Sequence, residues 1–193
     1  DIAITQVIDE KQYGDVVVSL VEVEVTDQVI GYLRRLPDGE VLDSVPLDMP
    51  AQTLPTRAVM CTMTPELLAA VGVDAERVPG ALHAAEHAAI GLLPLIATCD
   101  RSDIGGVSTA VHVDTELPTV FVYDGHPGGA GFADRGHAEI KRWLRATRDA
   151  IEVCGCRAGC PSCVYSPKCG NGNEPLDKDG AVRVLTAVLA ALG

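Results

Sequence analysis

The sequence is short of aromatic residues and of positive charge. Only one Trp, two Phe and four Tyr occur among 193 residues, so Val, Leu, Ile and Ala must fill any interior. Fifteen Lys and Arg stand against 27 Asp and Glu, for a net charge of -12. The overall field of such a chain repels phosphate, so contact with nucleic acid would have to run through a local basic patch. There is no initial Met, no signal peptide and no long uncharged apolar run. These absences predict a soluble, cytoplasmic, monomeric piece of a longer protein with no membrane contact. The stretch from Leu82 to Cys99 approaches membrane length, but His83, Glu86 and His87 lie in it and Pro94 interrupts it. A buried helix is therefore expected there. A nucleotide site is missing as well. Around Gly131 two glycines have the spacing of a P-loop, yet His137-Ala138 stands where Lys-Ser/Thr is required. The chain is thus expected to carry no ATPase site and no catalytic residue.

What is present suits one globular domain over 1–193, with 47% apolar residues. The first part, 1–63, reads as a β meander. VEVEVT alternates apolar and polar residues, and VIGYLRRL and EVLDSVPL flank a Pro37-Asp38-Gly39 turn. Prolines 46, 50 and 55 mark loop or edge. A helix-rich part, 64–153, begins at Thr64-Pro65-Glu66, a capping hydroxyl followed by Pro at the first helical position. Helices are expected to about Gly72, from about Pro79 to Cys99, and over 130–153. A cysteine module over 154–170 and a closing helix over 177–192, capped by Asp177, complete the chain. The fold class is α+β: an antiparallel or mixed sheet packed with about four helices and a C-terminal four-cysteine site.

Five of the seven cysteines fall in CGCRAGCPSCVYSPKC, residues 154 to 169. Without a secretion signal, metal explains them better than disulfides. Zinc binds four thiolates tetrahedrally at about 2.3 Å, so short loops must wrap sulfur around one point. Cys160-Pro161-Ser162-Cys163 is a tight turn, and Gly155 and Gly159 relieve steric obstruction. Arg157 and Lys168 are near enough in sequence to offset the negative site. Cys154, Cys156, Cys160 and Cys163 are the compact choice of ligands, with Cys169, beyond Pro167, in reserve. Four sulfurs leave no place for water, so the zinc would be structural. Cys61 and Cys99 read as apolar fillers.

Other patterns point elsewhere. His83-Ala-Ala-Glu86-His87 matches the H-x-x-E-H of inverted zinc proteases, with both imidazoles on one helical face. No third ligand is evident. The glycine-rich stretch from Tyr123 to Gly131 follows a strand and precedes a helix, where backbone N–H groups can meet a phosphate. Asp124, Glu139 and Lys141 resemble the acid-and-lysine sites of nucleases, though the E-x-K lies on a helix. These two patterns define the alternative function, a metal-dependent hydrolase. Lys141, Arg142, Arg145 and Arg148 are the densest basic stretch and a candidate phosphate-contacting stripe.

Three stretches together, HAAEHAAIGLLPLIATCDRSDIGG, VYDGHPGGAGFADRG and CGCRAGCPSCVYSPKCGNGNEPLDK, resemble the C-terminal zinc-binding domain of the MrfA/SftH-type DNA helicases. The resemblance covers roughly residues 80 to 190. It implies a larger superfamily-two helicase, a 3′-to-5′ translocase with two RecA-like motor domains that bind ATP and Mg²⁺ outside this chain. It also implies zinc thiols at Cys154, Cys156, Cys160 and Cys163. The expected role is then a non-catalytic accessory domain in DNA repair that shapes the path of single-stranded DNA beside the motor.

Overall fold

The computed structural model describes residues 1–193. Period-two alternation builds the sheet. Strands β1 (Ile2–Tyr13) and β2 (Val16–Asp27) form a long hairpin across Gly14-Asp15. Gly14 takes φ 62° there, a conformation that costs other residues about 1–2 kcal/mol. Along β2, Val16, Val18 and Leu20 enter the main core, whereas Val21, Val23 and Val25 join Ile2, Ala58, Met60 and Phe121 in a second cluster. Successive strand side chains point to opposite faces, so both faces of the sheet are covered.

Strand β5 (Gln52–Met63) pairs with β2 along its whole length, and β7 (Thr119–Asp124) and β6 (Ile104–Thr109) complete the sheet. The order is β1-β2-β5-β7-β6, and every ladder is antiparallel. Pro55 is tolerated in β5 because it lies outside the Ala58–Thr62 stretch that pairs with β7. Its carbonyl accepts from Gly128 N at 2.8 Å on that open side, so the missing N–H breaks no ladder bond. The expected single meander over 1–63 is corrected in one respect. Strands β3 (Gly31–Arg35) and β4 (Val41–Pro46) leave the sheet as a separate two-stranded hairpin. Ile30, Leu33, Leu42 and Met49 on this arm are exposed.

Helix α1 (Pro65–Ala70) starts as its sequence dictates, with Thr64 Oγ1 accepting from Leu67 N at 3.2 Å. Helix α2 (Val78–Leu92) is buried on nearly all sides and lies against β6 and β7. It stops short of Cys99. Pro94 cannot donate and crowds the preceding turn, so the chain tightens into a 3-10 turn at Leu93–Leu95. The helix expected over 130–153 is two, α3 (Phe132–Ala138) and α4 (Ile140–Glu152), broken at Glu139. The break folds Trp143 back against Gly136, where an added Cβ would lie 3.2 Å from its ring. The buried indole donates to Ala89 O at 2.9 Å and so fastens α4 to α2. Helix α5 (Lys178–Leu192) packs on α2 and α4, with Val184, Leu185, Val188 and Leu192 buried as the sequence predicts. Asp177 caps it, accepting from Gly180 N at 2.8 Å, and also receives Arg77 Nε at 2.8 Å from the start of α2. The fold is α+β with five α-helices, and none is long and apolar enough to cross a membrane.

Asp124 closes β7 and is fully buried. Its carboxylate accepts from the backbone N–H groups of Ala130 (2.6 Å), Phe132 (3.1 Å) and Ala133 (2.7 Å). Gly128, Gly129 and Gly131 take φ of 76°, 82° and 87° to bring the loop around it. The N–H groups that a phosphate would need are thus taken by a side chain of the chain itself. Asp124→Asn replaces one acceptor with a donor facing N–H groups. It should lower stability by about 2 kcal/mol in denaturant titration, whereas Glu139→Gln should change it by less than about 0.5 kcal/mol.

Candidate metal centre

The module begins where α4 ends, at Glu152. Gly159 takes φ 124°, and a Cβ there would meet Val164 Cγ2 at 2.6 Å, so only glycine fits. Gly155 has open space around it, so its expected steric role is not needed. Cys160 O accepts from Cys163 N (3.0 Å) and Tyr165 N (3.1 Å), which makes the tight turn expected at Cys160–Cys163.

The four sulfurs converge. Sγ of Cys154 lies 3.6 Å from that of Cys156 and 3.5 Å from that of Cys160. Sγ of Cys163 lies 3.5 Å from that of Cys156 and 3.8 Å from that of Cys160. Sulfurs bound about 2.3 Å from one zinc in a tetrahedron stand about 3.8 Å apart, so the set fits the ion. Cysteine binds a metal as the thiolate, so an ion here requires these thiols to shed their protons. Burial opposes this at Cys156, but its thiol neighbours and Lys178 hold its pKa below the ordinary thiol value, whereas burial pushes the Cys163 thiol up, so the ion's own charge must draw off that proton.

The compensating cation differs from the expected pair. Arg157 is exposed, and Lys168 Nζ donates instead to Ser102 O (2.9 Å) and Ile104 O (3.2 Å). Lys178, at the start of α5, takes the role. Its Nζ donates to Cys154 O (2.5 Å) and Cys156 O (2.7 Å) and stands 3.4 Å from Cys156 Sγ. The sequence signal for it was the CGNGNEPLDK tail, but no local spacing shows that a residue 15 positions after Cys163 folds back.

Cys169 is not with the other four. It lies against α2, its Sγ 3.4 Å from His83 Nε2, in a group with His83 and His87. Its neighbour Asn173 braces the loop, accepting from Ser166 N at 2.7 Å and donating to Ser166 O at 3.1 Å. Glu86 turns away from the two histidines and accepts from Ser108 Oγ at 2.6 Å. Burial pushes its carboxyl up to about 7, with Ser108 opposing, and burial holds His87 down to about 4. A cleft of about 670 Å³ opens here, lined by His83, Glu86, His87, Arg101, Lys168 and Cys169 among others.

The nuclease-like residues do not assemble. Asp124 is consumed by backbone N–H groups, Glu139 faces Arg135 at 3.5 Å, and Lys141 donates to Gly193 O at 3.0 Å. Lys141, Arg142 and Arg145 do gather, with Lys11 and His137, around a second cleft of about 400 Å³. Arg148 is bound to Asp149, Nε to Oδ1 at 2.9 Å.

Comparison with known proteins agrees with this architecture. The family model of the MrfA Zn-binding domain matches residues 85–164. An uncharacterized protein of Methanocaldococcus jannaschii is 36% identical over 112 residues, which cover 56% of this chain and all of that protein. The ATP-dependent helicase YprA of Bacillus subtilis is 38% identical over 73 residues, 38% of this chain and 10% of its own. The ATP-dependent helicase hrq1 of Schizosaccharomyces pombe is 25% identical over 182 residues, 86% of this chain and 17% of its own. The chain therefore spans only a small part of those helicases. In fold it is similar to a crystal structure of the helicase MrfA bound to DNA, with a TM-score of 0.69 and 22% identity over 97% of this chain and 24% of that one. The converging thiols, the family model and a relative matched over its full length lead to one conclusion: this chain belongs to the MrfA zinc-binding domain family.

Proposed function

We propose that the chain is a non-catalytic, zinc-stapled accessory domain of an ATP-dependent DNA helicase. In this role Cys154, Cys156, Cys160 and Cys163 hold one structural zinc, and Lys178 neutralises part of its surplus negative charge. The observation that carries the proposal is the 3.5–3.8 Å spacing of these four sulfurs within the stretch matched by the zinc-binding family. Four protein sulfurs exclude water from the ion, so it supports the fold rather than hydrolysis. The energy-consuming step belongs to RecA-like motor domains outside this chain, where ATP and Mg²⁺ bind. The exposed β3–β4 arm, with Ile30, Leu33 and Leu42 in solvent, is the surface that docks on such a neighbour.

Single-stranded DNA passes by the basic cleft. Lys11, Lys141, Arg142 and Arg145 gather there on an otherwise acidic chain, which suits backbone contact without base readout. Because Arg148 is spent on Asp149, Arg142 and Arg145 are the pair to test.

The expected outcomes concern ATP hydrolysis, zinc retention and DNA binding. The purified chain should hydrolyse no ATP above background; strong hydrolysis would refute the proposal. Lys178→Met should weaken zinc retention roughly tenfold in chelator competition, and Cys163→Ser should unfold the module or make it chelator-sensitive. Fluorescence anisotropy with a labelled single strand at low salt should show weak binding that falls as salt rises. Replacing Arg142 and Arg145 with Ala should reduce it further, and unchanged binding would move the DNA path elsewhere.

A further inference from the structure

The two histidines of α2 have a third partner that lies far away in sequence. Sγ of Cys169, Nε2 of His83 and the ring of His87 form one group whose ligand atoms all lie within 4.8 Å of one another. We infer that His83, His87 and Cys169 form a second metal site, a three-ligand centre for zinc, separate from the four-cysteine cluster.

The geometry supports each ligand in turn. On α2 the histidines stand four residues apart, one turn, so their rings share a face. The ring centroids are 4.2 Å apart at an interplanar angle of 63°. Both rings are oriented by backbone carbonyls. His83 Nδ1 lies 2.9 Å from Pro175 O, and His87 Nδ1 lies 2.8 Å from Val164 O. A carbonyl can only accept, so each Nδ1 must carry the proton. The neutral ring then presents the lone pair of Nε2, and this is how metal-bound histidines are usually held. The distance from Cys169 Sγ to His83 Nε2 is 3.4 Å. Sulfur and nitrogen ligands on one tetrahedral zinc stand about 3.5 Å apart. The sulfur is itself braced, since Asn173 N donates to it at 3.3 Å.

The ligand set selects the metal class. Two imidazoles and one thiolate are borderline-soft donors, which suits zinc and disfavours magnesium or calcium. Only three protein ligands are present, and all three line the cleft of about 670 Å³. The fourth position therefore faces open space and takes water, in contrast to the closed four-sulfur site. The two sites also share a brace. Val164, whose carbonyl orients His87, follows Cys163 directly in the chain. A metal at one site thus steadies the loop that positions the other.

The site does not depend on any helicase role, and it is tested on the intact chain loaded with zinc alone. After dialysis against buffer with trace zinc, elemental analysis should give about two zinc per chain, and Cys169→Ser or His83→Ala should lower this to about one. X-ray absorption at the zinc edge should show a mixed shell, averaging about 2.5 sulfurs and one protein nitrogen per ion. That reading needs no variant, so a misfolded mutant cannot blur it. One zinc per wild-type chain in an all-sulfur shell, with Cys169→Ser retaining it in full, would overturn the inference and leave the four-cysteine site intact. Loss of all zinc from Cys163→Ser beside a normal Cys169→Ser would overturn it too.

Discussion

The convergence of four sulfurs on one point is the constraint on which the C-terminal part depends. The segment between α4 and α5 carries little apolar surface of its own, and most of its residues are exposed or half-buried. Such a loop cannot offset its ordering entropy by burial alone. Its shape rests on sulfur packed at 3.5–3.8 Å, on Lys178 binding the carbonyls of Cys154 and Cys156, and on Asn173 clamping Ser166. From this staple two carbonyls, those of Val164 and Pro175, reach back to the histidines of α2. The loop and the core helix are therefore one polar assembly and not two neighbours.

Helix α2 is the other half of that assembly. It is surrounded by β6, β7, α4 and α5, so its apolar positions are simply core. Its polar residues acquire meaning from what faces them. Glu86 meets Ser108, His87 meets Val164, and Trp143 bonds to the carbonyl of Ala89. Arg77 and Asp177 join the first turns of α2 and α5, so the helix that bears the histidines and the helix that bears Lys178 share one anchor. The acidic balance of the chain coexists with one basic cleft because α4 gathers its cations on the face toward Lys11 of β1. Net charge says nothing about such local grouping.

Much of the fold was legible. Alternation marked β2, the Thr64-Pro65 pair marked α1, and Asp177 marked the last helix, because each signal acts within a few residues. The thiol set was legible for the same reason, since tight loops need short spacing. The places where the structure departs from the sequence pattern share a cause. The length of α2 and the split at Glu139 depend on Pro94 and on where Trp143 can pack. The departure of β3 and β4 from the sheet depends on strand pairing that sequence alternation does not encode. Arg157 and Lys168 are the cations nearest the cysteines along the chain, whereas the cation that reaches the sulfur comes from the next helix.

Sequence alone determined the class of the fold, the absence of a phosphate-binding P-loop and the four thiols that could close on an ion, because those are matters of residue type and short-range spacing. Tertiary structure alone decided where Cys169 goes. It also decided that Asp124 is spent on its own glycine-rich loop and that Lys178 serves the cysteines. Contacts between residues 86 or 22 positions apart are made by packing, and no local pattern in a single chain records which of them will meet.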